Sequence, residues 1–395
     1  MKQYLKRLSF FLVLACGGLG LGTAAADQTQ LKVAFITEKM PLPAALSNLD
    51  PVLLDEGVAG AMLGIKDNNT TGQFTGHHYA LKHVQVPHGD DLSTTLNSLI
   101  ADGYQYIIVD VQKASLLRLS PIADANNVLL FNVSAGDREL RNSGCASNLF
   151  HLIPSYDMRA DALAQFMLKK RWNKWLLIKG NAPDDLSFAH AIKRSAKRFG
   201  MTLVEEKSWS FEHDARRTAQ AEIPVFTQGP DYDVLLVADM KGLFGEYLAM
   251  NTWLPRPIAG SQGLMPKAWH RTHERWGAVQ MQNRFHQQAG RWMTDVDYAS
   301  WLAARTIGEA VTRSQSIDSK AIKDFVLSDK FSLAGFKGVK LTFRTWNRQL
   351  RQPVLLATPR SIVSVLPHKE FLHPRTYLDT LGYDKPESTC SLTKI

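Results

Sequence analysis

The chain alternates short, continuous apolar runs with segments whose apolar residues recur every three or four positions. Residues 31–36 (LKVAFI) read as a buried strand, and 53–65 carry apolar side chains at helical spacing. The pattern repeats with a strand at 83–86, a helix at 92–100, a strand at 106–109, a helix at 116–125 and a strand at 128–131. Apolar strands separated by helices indicate parallel order with both sheet faces covered. After 145–154 the rhythm restarts: helix 161–168, strand 175–178, helix 188–199, a short strand at Leu203 and Val204, strand 234–237 and helix 242–250. Two such halves predict an α/β protein of two doubly wound, Rossmann-like lobes.

A long amphipathic helix follows at 295–311 and a shorter one at 321–327. Beyond Val339 the pattern becomes short strands at 340–343, 353–357 and 362–365, the first two turning through Trp346, Asn347 and Arg348 into a hairpin. Residues 367–395 contain Pro367, Pro374 and Pro386 with scattered charge and read as an irregular tail.

A chain of 395 residues is long enough for two cores, and 45% hydrophobic with 21% charged residues excludes extended disorder. Lys2, Lys6 and Arg7, an apolar stretch at 8–15 and Ala24, Ala25 and Ala26 have the anatomy of a secretory signal peptide, with the mature chain starting at Asp27. A second reading takes residues 13–16 (VLAC) as a lipoprotein site ending at Cys16, but its apolar run is short and leaves the later small-residue site redundant. No later run approaches the ~18 apolar residues of a membrane helix, so a periplasmic product is expected. The net charge is +9, and removing the three n-region cations leaves +6 without any basic block, so nucleic acid is not an expected partner. Cys145 and Cys390 then form an even pair in an oxidising compartment, open to one disulfide or two free thiols.

Catalytic motifs are absent: no G-x-S-x-G elbow, phosphate loop, dinucleotide fingerprint or paired zinc cysteines occurs, so neither an enzyme nor a cofactor is expected. Residues 67–72 (DNNTTG) imitate the start of a calcium loop, but its twelfth position is His78, and a turn closing the preceding helix is the expectation. His270 and His273 stand one helical turn apart beside Glu274 with no third ligand, so a solvated helix face is expected. Open α/β sheets bind ligands at the C-terminal ends of their strands, where helix N-termini present free N–H groups. Those positions hold Asp110, Gln112, Lys113 and Ser115, then Asn132, Ser134 and Ala135. In the second half they hold Asn181, Asp184 and Asp185, then Asp239, Met240 and Lys241, then Ser261 and Gln262. Such residues also serve as helix caps, but two facing sets predict a cleft.

The strand at 31–36, Gly60 and Ala61 in the first helix, 67–69 (DNN), 92–102 before 106–109, and Glu139 and Leu140 after 128–131 resemble the type I periplasmic substrate-binding proteins of branched-chain amino acid ABC transporters. The match continues through 175–178 and 231–234 and spans about 30–360. Residues 277–280 (GAVQ) with 283–285 (NRF), 343–353 (FRTWNRQLRQP), 371–373 (FLH) and 378–384 (LDTLGYD) resemble the subfamily found with pyrroloquinoline quinone (PQQ)-dependent alcohol dehydrogenase systems. The resemblance implies the type I periplasmic-binding-protein fold with three crossings, near 151–155, 282–285 and 331–338. The first lobe would then comprise 27–150 and 285–335, the second 151–284 and 336–360, and the tail 361–395.

By the same resemblance, amino-acid binders hold the ligand carboxylate with small hydroxyl residues and the ammonium with an acid on the second lobe. Here the hydroxyl-rich stretch falls at 112–115 (QKAS), the usual threonine at Gly136, a cleft aromatic near Asp184, and the ammonium-binding acid at Gln262. A neutral amide cannot replace a charge-assisted partner in a dry cleft, which argues against leucine or valine. Lys113 and Lys241 suit an anion, while Asp110, Asp184 and Asp239 suit a cation or hydroxyls; alternatively the two sets pair across closed lobes without a ligand. The resulting expectation is a ligand site of Asp110, Gln112, Lys113, Ser115, Ser134, Ala135, Asp184, Asp239, Lys241 and Gln262. A small polar molecule would be captured there and passed to an ABC transporter permease linked to PQQ-dependent alcohol oxidation. The alternative is an accessory or sensory protein that docks to a quinone-dependent dehydrogenase, or delivers its cofactor, through the basic helix bearing Lys193, Arg194, Lys197 and Arg198.

Overall fold

A computed structural model describes residues 29–41, 52–209, 215–249 and 251–392, with the backbone alone at 215–220. The expected signal peptide at 1–26 lies outside the described residues. Five parallel strands form the first sheet: β1 (Thr29–Lys39), β2 (His77–Pro87), β3 (Tyr106–Asp110), β4 (Leu129–Asn132) and β5 (Leu149–His151), in the order β2-β1-β3-β4-β5. Leu31, Val33 and Phe35 point into one core with α1 (Val58–Thr75), while Ala34 and Ile36 point into another with α2 (Leu92–Ala101) and α3 (Lys113–Ala125). Burial on both faces is why β1 is apolar from Val33 to Ile36 and β3 from Tyr106 to Val109. The order reverses between β1 and β3, so a crevice opens beyond their ends, where Thr37 lies in register with Asp110.

The second sheet repeats the plan with β6 (Lys174–Lys179), β7 (Thr202–Ser208), β8 (Val234–Ala238) and β9 (Ile258–Gly260), all parallel in the order β7-β6-β8-β9. Helices α4 (Tyr156–Lys170) and α5 (Pro183–Phe199) cover one face, and α6 (Ala215–Phe226) with the one-turn α7 (Gly245–Leu248) the other. Strand β10 (Met265–Lys267) ends this passage. The chain returns to the first lobe with α8 (Ala278–Ala289), α9 (Asp295–Ser314) and α10 (Ser319–Val326). Helix α1 approaches α9 through Gly60 and Gly64: a Cβ on Gly60 would fall 1.9 Å from the Asp297 carbonyl oxygen, and one on Gly64 2.6 Å from Ala304 Cβ. Strands β11 (Leu333–Ala334), β12 (Lys340–Phe343) and β13 (Leu350–Arg351) make a small antiparallel sheet, and β14 (Val354–Thr358) and β15 (Ser361–Leu366) join β10 on the second lobe.

The first crossing runs from Ile153 in the first core to Tyr156 in the second. The other two differ from expectation. Ala268, Trp269, Ala278, Met281 and Phe285 all lie in the first core, so the second crossing comes at 267–269, and 268–284 belongs to the first lobe. Strand 340–343 forms its hairpin with 350–351 rather than with 353–357, and Leu341, Phe343 and Leu350 also lie in the first core, Phe343 edge-on to Phe150 at 5.2 Å, which moves the third crossing from 331–338 to 351–353. An amphipathic helix or hairpin shows that one face is buried, not which sheet buries it.

The described part of the expected tail, 361–392, is also structured. Strand β15 pairs antiparallel with β14. Farther on, Asp379 accepts from Arg344 (2.8 Å) and Arg351 (2.9 Å), with its carboxylate and the Arg344 guanidinium almost wholly buried. Cys145 and Cys390 are joined, closing a separation of 245 residues, which in the chain-entropy account is worth about 5 kcal/mol. Replacing Asp379 by Ala strands the buried Arg344 charge, and equilibrium urea unfolding should show a loss of about 3–5 kcal/mol.

At the first crossing His151 is buried between a donor and an acceptor. Its Nδ1 lies 3.0 Å from the Asn132 amide nitrogen and its Nε2 3.1 Å from the Leu140 carbonyl, which defines the neutral ring. Burial, with Arg141 nearby, pushes the imidazole well below its ordinary value. The unfolded chain takes up that proton below pH ~6.5 and the folded one does not, so stability falls as pH drops through that range. Between pH 7.5 and 5.5, His151→Gln should lose about 1.4 kcal/mol less stability than the parent in urea titrations.

Candidate functional site

The crevices of the two sheets face one another across a cavity of about 660 Å³. From the first lobe it is lined by Glu38, Met40, Pro41, Asp110, Val111, Gln112, Lys113, Ser134, Ala135 and Asp137, and beyond the first crossing by Tyr156, Asp184, Lys241 and Leu243. Seven of the ten expected ligand residues line it: Asp110, Gln112, Lys113, Ser134, Ala135, Asp184 and Lys241. Their loops are held by buried polar groups. Asn132 accepts from the Ser134 and Ala135 N–H groups (3.3 and 3.0 Å) and donates to the Ala135 carbonyl (2.8 Å). Asp185 accepts from the N–H groups of Ala182 (3.1 Å) and Met240 (2.7 Å), tying the β6 loop to the β8 loop.

Three expected residues do not line the cavity. Ser115 is buried and donates to Glu38 at 2.9 Å. Asp239 accepts from the N–H groups of Leu243, Phe244 and Gly245 at 2.7–2.8 Å and is 2% exposed, so it supports the loop that carries Lys241. Gln262 packs on the same loop, where a Cβ on Gly245 would meet its Cγ at 2.4 Å. A carboxylate facing three amides is satisfied as a cap, whereas its position at a strand end reads equally well as a ligand contact.

Glu38, Asp137 and Tyr156 complete the polar lining. Glu38 ends β1 at the switch point and takes the Gln112 N–H (3.1 Å), the Ser115 hydroxyl and His88 (3.0 Å). Burial pushes its carboxyl up, but these donors prevail and leave it below its ordinary value. Burial raises Asp110 against the Ser134 hydroxyl, with the Asp297 and Glu38 charges adding to the rise. Asp137 is raised by burial and by Asp184, and accepts from Ser187 of the second lobe at 3.2 Å. Burial and the same two carboxylates keep the Tyr156 phenol protonated. On the rim, Lys113 pairs with Glu139 at 3.2 Å. The rule of strand ends would have found Glu38; Tyr156 carries no such signal, since it opens the helix after a crossing.

Other candidates resolve structurally. Residues 67–72 lie inside α1, which continues to Thr75; Asp67 pairs with Arg284 and accepts from Trp301 Nε1 at 2.9 Å. His270 and His273 lie in a turn rather than a helix, and the His273 ring meets the Phe336 carbonyl at 2.8 Å. Among the described residues no group of three or more His, Cys, Asp or Glu is placed to hold a metal ion. The basic face of α5 is largely consumed internally: Arg194 and Arg198 pair with Asp161 at 3.2 and 2.6 Å, and Lys193 with Glu206 at 3.0 Å.

Residues 52–236 match the profile of the periplasmic binding protein family, and the two-lobed α/β architecture is the type I periplasmic-binding-protein fold. Similar solved structures include the leucine-, isoleucine-, valine-, threonine- and alanine-binding protein of Brucella ovis, at 17% identity over 83% of this chain and 89% of that one, with a TM-score of 0.67. The amino acid ABC transporter substrate-binding protein of Pseudomonas fluorescens Pf-5 is 9% identical over 93% of this chain and all of that one, with a TM-score of 0.68. An ABC transporter solute-binding protein of R. palustris, solved with benzoate, is 13% identical over 92% and 100%, with a TM-score of 0.65. At these identities the likeness is one of fold. No curated protein matches the sequence.

Removing the Asp239 carboxylate leaves three amides without their acceptor. Asp239→Ala should therefore cost about 1–3 kcal/mol in urea unfolding while leaving the affinity of a cleft ligand little changed. Loss of affinity at full stability would make Asp239 a ligand contact instead.

Proposed function

We propose that this chain is a periplasmic solute-binding protein, not an enzyme, that captures a small polar ligand in the interlobe cleft and hands it to the permease of an ABC transporter. The observation that carries this reading is the cavity bounded by both lobes at the switch points of both sheets, the place where open α/β sheets take their ligands. Lobe closure over such a cleft excludes water and strengthens each polar contact inside. In the neighbours of like fold, the same architecture serves branched-chain amino acids and benzoate. The strings at 343–353 and 378–384 tie the solute, within this proposal, to a PQQ-dependent alcohol oxidation system.

The charge of the lining narrows the solute. Four carboxylates, Glu38, Asp110, Asp137 and Asp184, face two ammonium groups, Lys113 and Lys241. Lys113 is already paired, so a ligand bearing amine or hydroxyl donors complements the cleft, and one bearing only carboxylates meets like charge. Met40, Val111, Ala135 and Leu243 provide an apolar wall for a short carbon skeleton.

A thermal-shift screen of the mature protein tests the reading with amino acids, amino alcohols, polyols, alcohol-derived acids and PQQ. A ligand at a hundred times its Kd adds about 2.7 kcal/mol. The expected result is a hit bearing amine or hydroxyl groups that is lost in Asp110→Asn or Asp184→Asn while the ligand-free Tm is kept. Silence across the panel, or a hit indifferent to both substitutions, would overturn it.

A further inference from the structure

We infer that residues 382–390 form a covalent strap between the lobes that sets how far the cleft opens. The inference goes beyond the solute-binding reading and rests on where the ends of the segment are fixed. Its first anchor is in the second lobe. The Gly382 N–H donates to Asp161 at 2.8 Å, and the Gly382 carbonyl accepts from Arg198 at 2.8 Å and Arg194 at 3.3 Å. The Asp161 carboxylate is fully buried on α4, and Leu381 belongs to the second core. Glu387 adds an ion pair to Arg194 at 3.3 Å.

The other end is fixed to the first lobe. Cys390 is bonded to Cys145, in the loop between the short 3-10 turn Glu139–Arg141 and β5, and the Thr389 N–H donates to Asn142 at 3.3 Å. Between the anchors one ring serves both lobes. The Tyr383 hydroxyl accepts from Arg138 of the first lobe at 3.1 Å, and the Arg194 guanidinium of the second lies 4.0 Å from its ring centroid. Arg138 also lines a cavity of about 240 Å³ that shares Lys113, Asp137 and Tyr156 with the ligand cleft, so the strap runs beside the cleft.

The length of chain between the anchors limits movement. Three peptide links join Glu387 to Cys390, a reach of at most about 10 Å when fully extended. Wider separation at this edge requires Arg194 to release Glu387, and then Gly382 to leave the buried Asp161. Apart from the disulfide, the contacts that join this segment and its surroundings across the lobes are noncovalent: the buried Arg344–Asp379 ion pair beside the third crossing and hydrogen bonds such as that from Ser187 to Asp137. The three backbone crossings form the hinge, and the disulfide is a fourth link that stops it.

Small-angle scattering of the ligand-free mature protein tests this without any knowledge of the solute. The Cys145→Ser, Cys390→Ser double variant should show a larger radius of gyration than the parent. A second variant keeps the disulfide and inserts four Gly/Ser residues after Ser388; it should shift in the same direction, and it carries the test if the double variant fails to fold by circular dichroism. Scattering from the folded insertion variant that superimposes on the parent curve would overturn the proposal. Because no ligand is present, that outcome leaves the solute-binding reading standing, and a failed ligand screen leaves this one standing.

Discussion

One buried guanidinium sets the relation between the hinge and the cleft. Arg141, 3% exposed, donates through Nε to Gln349 (2.7 Å), through Nη1 to the carbonyls of Ala135 and Asp137 (3.0 Å each), and through Nη2 to that of Ile153 (3.2 Å). Ala135 and Asp137 line the cleft, Ile153 lies at the first crossing, and Gln349 leads into the third. Burial lowers the Arg141 pKa to about 10, with Asp137 and Asp157 opposing the fall, so it stays cationic at neutral pH. Gln349 completes the joint by donating to the carbonyls of His151 and Ile153. A buried charge with four of its five N–H donors engaged tolerates few alternative geometries, so the cleft loop is positioned by the same group that fixes the crossings.

Acidic groups around the cleft divide by what they face. Asp185 and Asp239 face backbone amides and hold the second-lobe loops in place. Glu38 does the same for the start of α3, through the Gln112 N–H and the Ser115 hydroxyl. Asp110, Asp137 and Asp184 remain on the cavity wall, and burial raises the first two. Carboxylates that lose water without gaining a cation are costly, and a donor-bearing solute offsets that cost. The strap adds a mechanical term: it limits how much of this wall is returned to water when the lobes part.

Much of the fold can be read from the apolar pattern because stretches such as 33–36 and 234–237 are buried on both faces and admit no solvent-side residue. The site is legible where strand-end logic applies, as at Asp110, Gln112 and Ser134, since topology alone places those ends at the crevice. It fails where a side chain chooses between amides and ligand: Asp239 chose amides. Helix α8 has no counterpart among the expected elements, and the hairpin expected between 340–343 and 353–357 closes on 350–351 instead, because a pattern names neither the strand nor the lobe that buries it. Arg141 is invisible for a different reason. An arginine in a short polar turn reads as surface until chain segments distant in sequence close over it.

The central claim is that one solute is held by both lobes at once, and hydrogen–deuterium exchange tests it most directly. Peptides covering 110–115, 134–137, 182–186 and 240–245 would be followed with and without the small-molecule fraction of a periplasmic extract. The account predicts that these peptides gain protection together on both lobes, while the sheet cores at 31–36 and 234–237 stay unchanged. Protection confined to one lobe, or found only outside these loops, would contradict it.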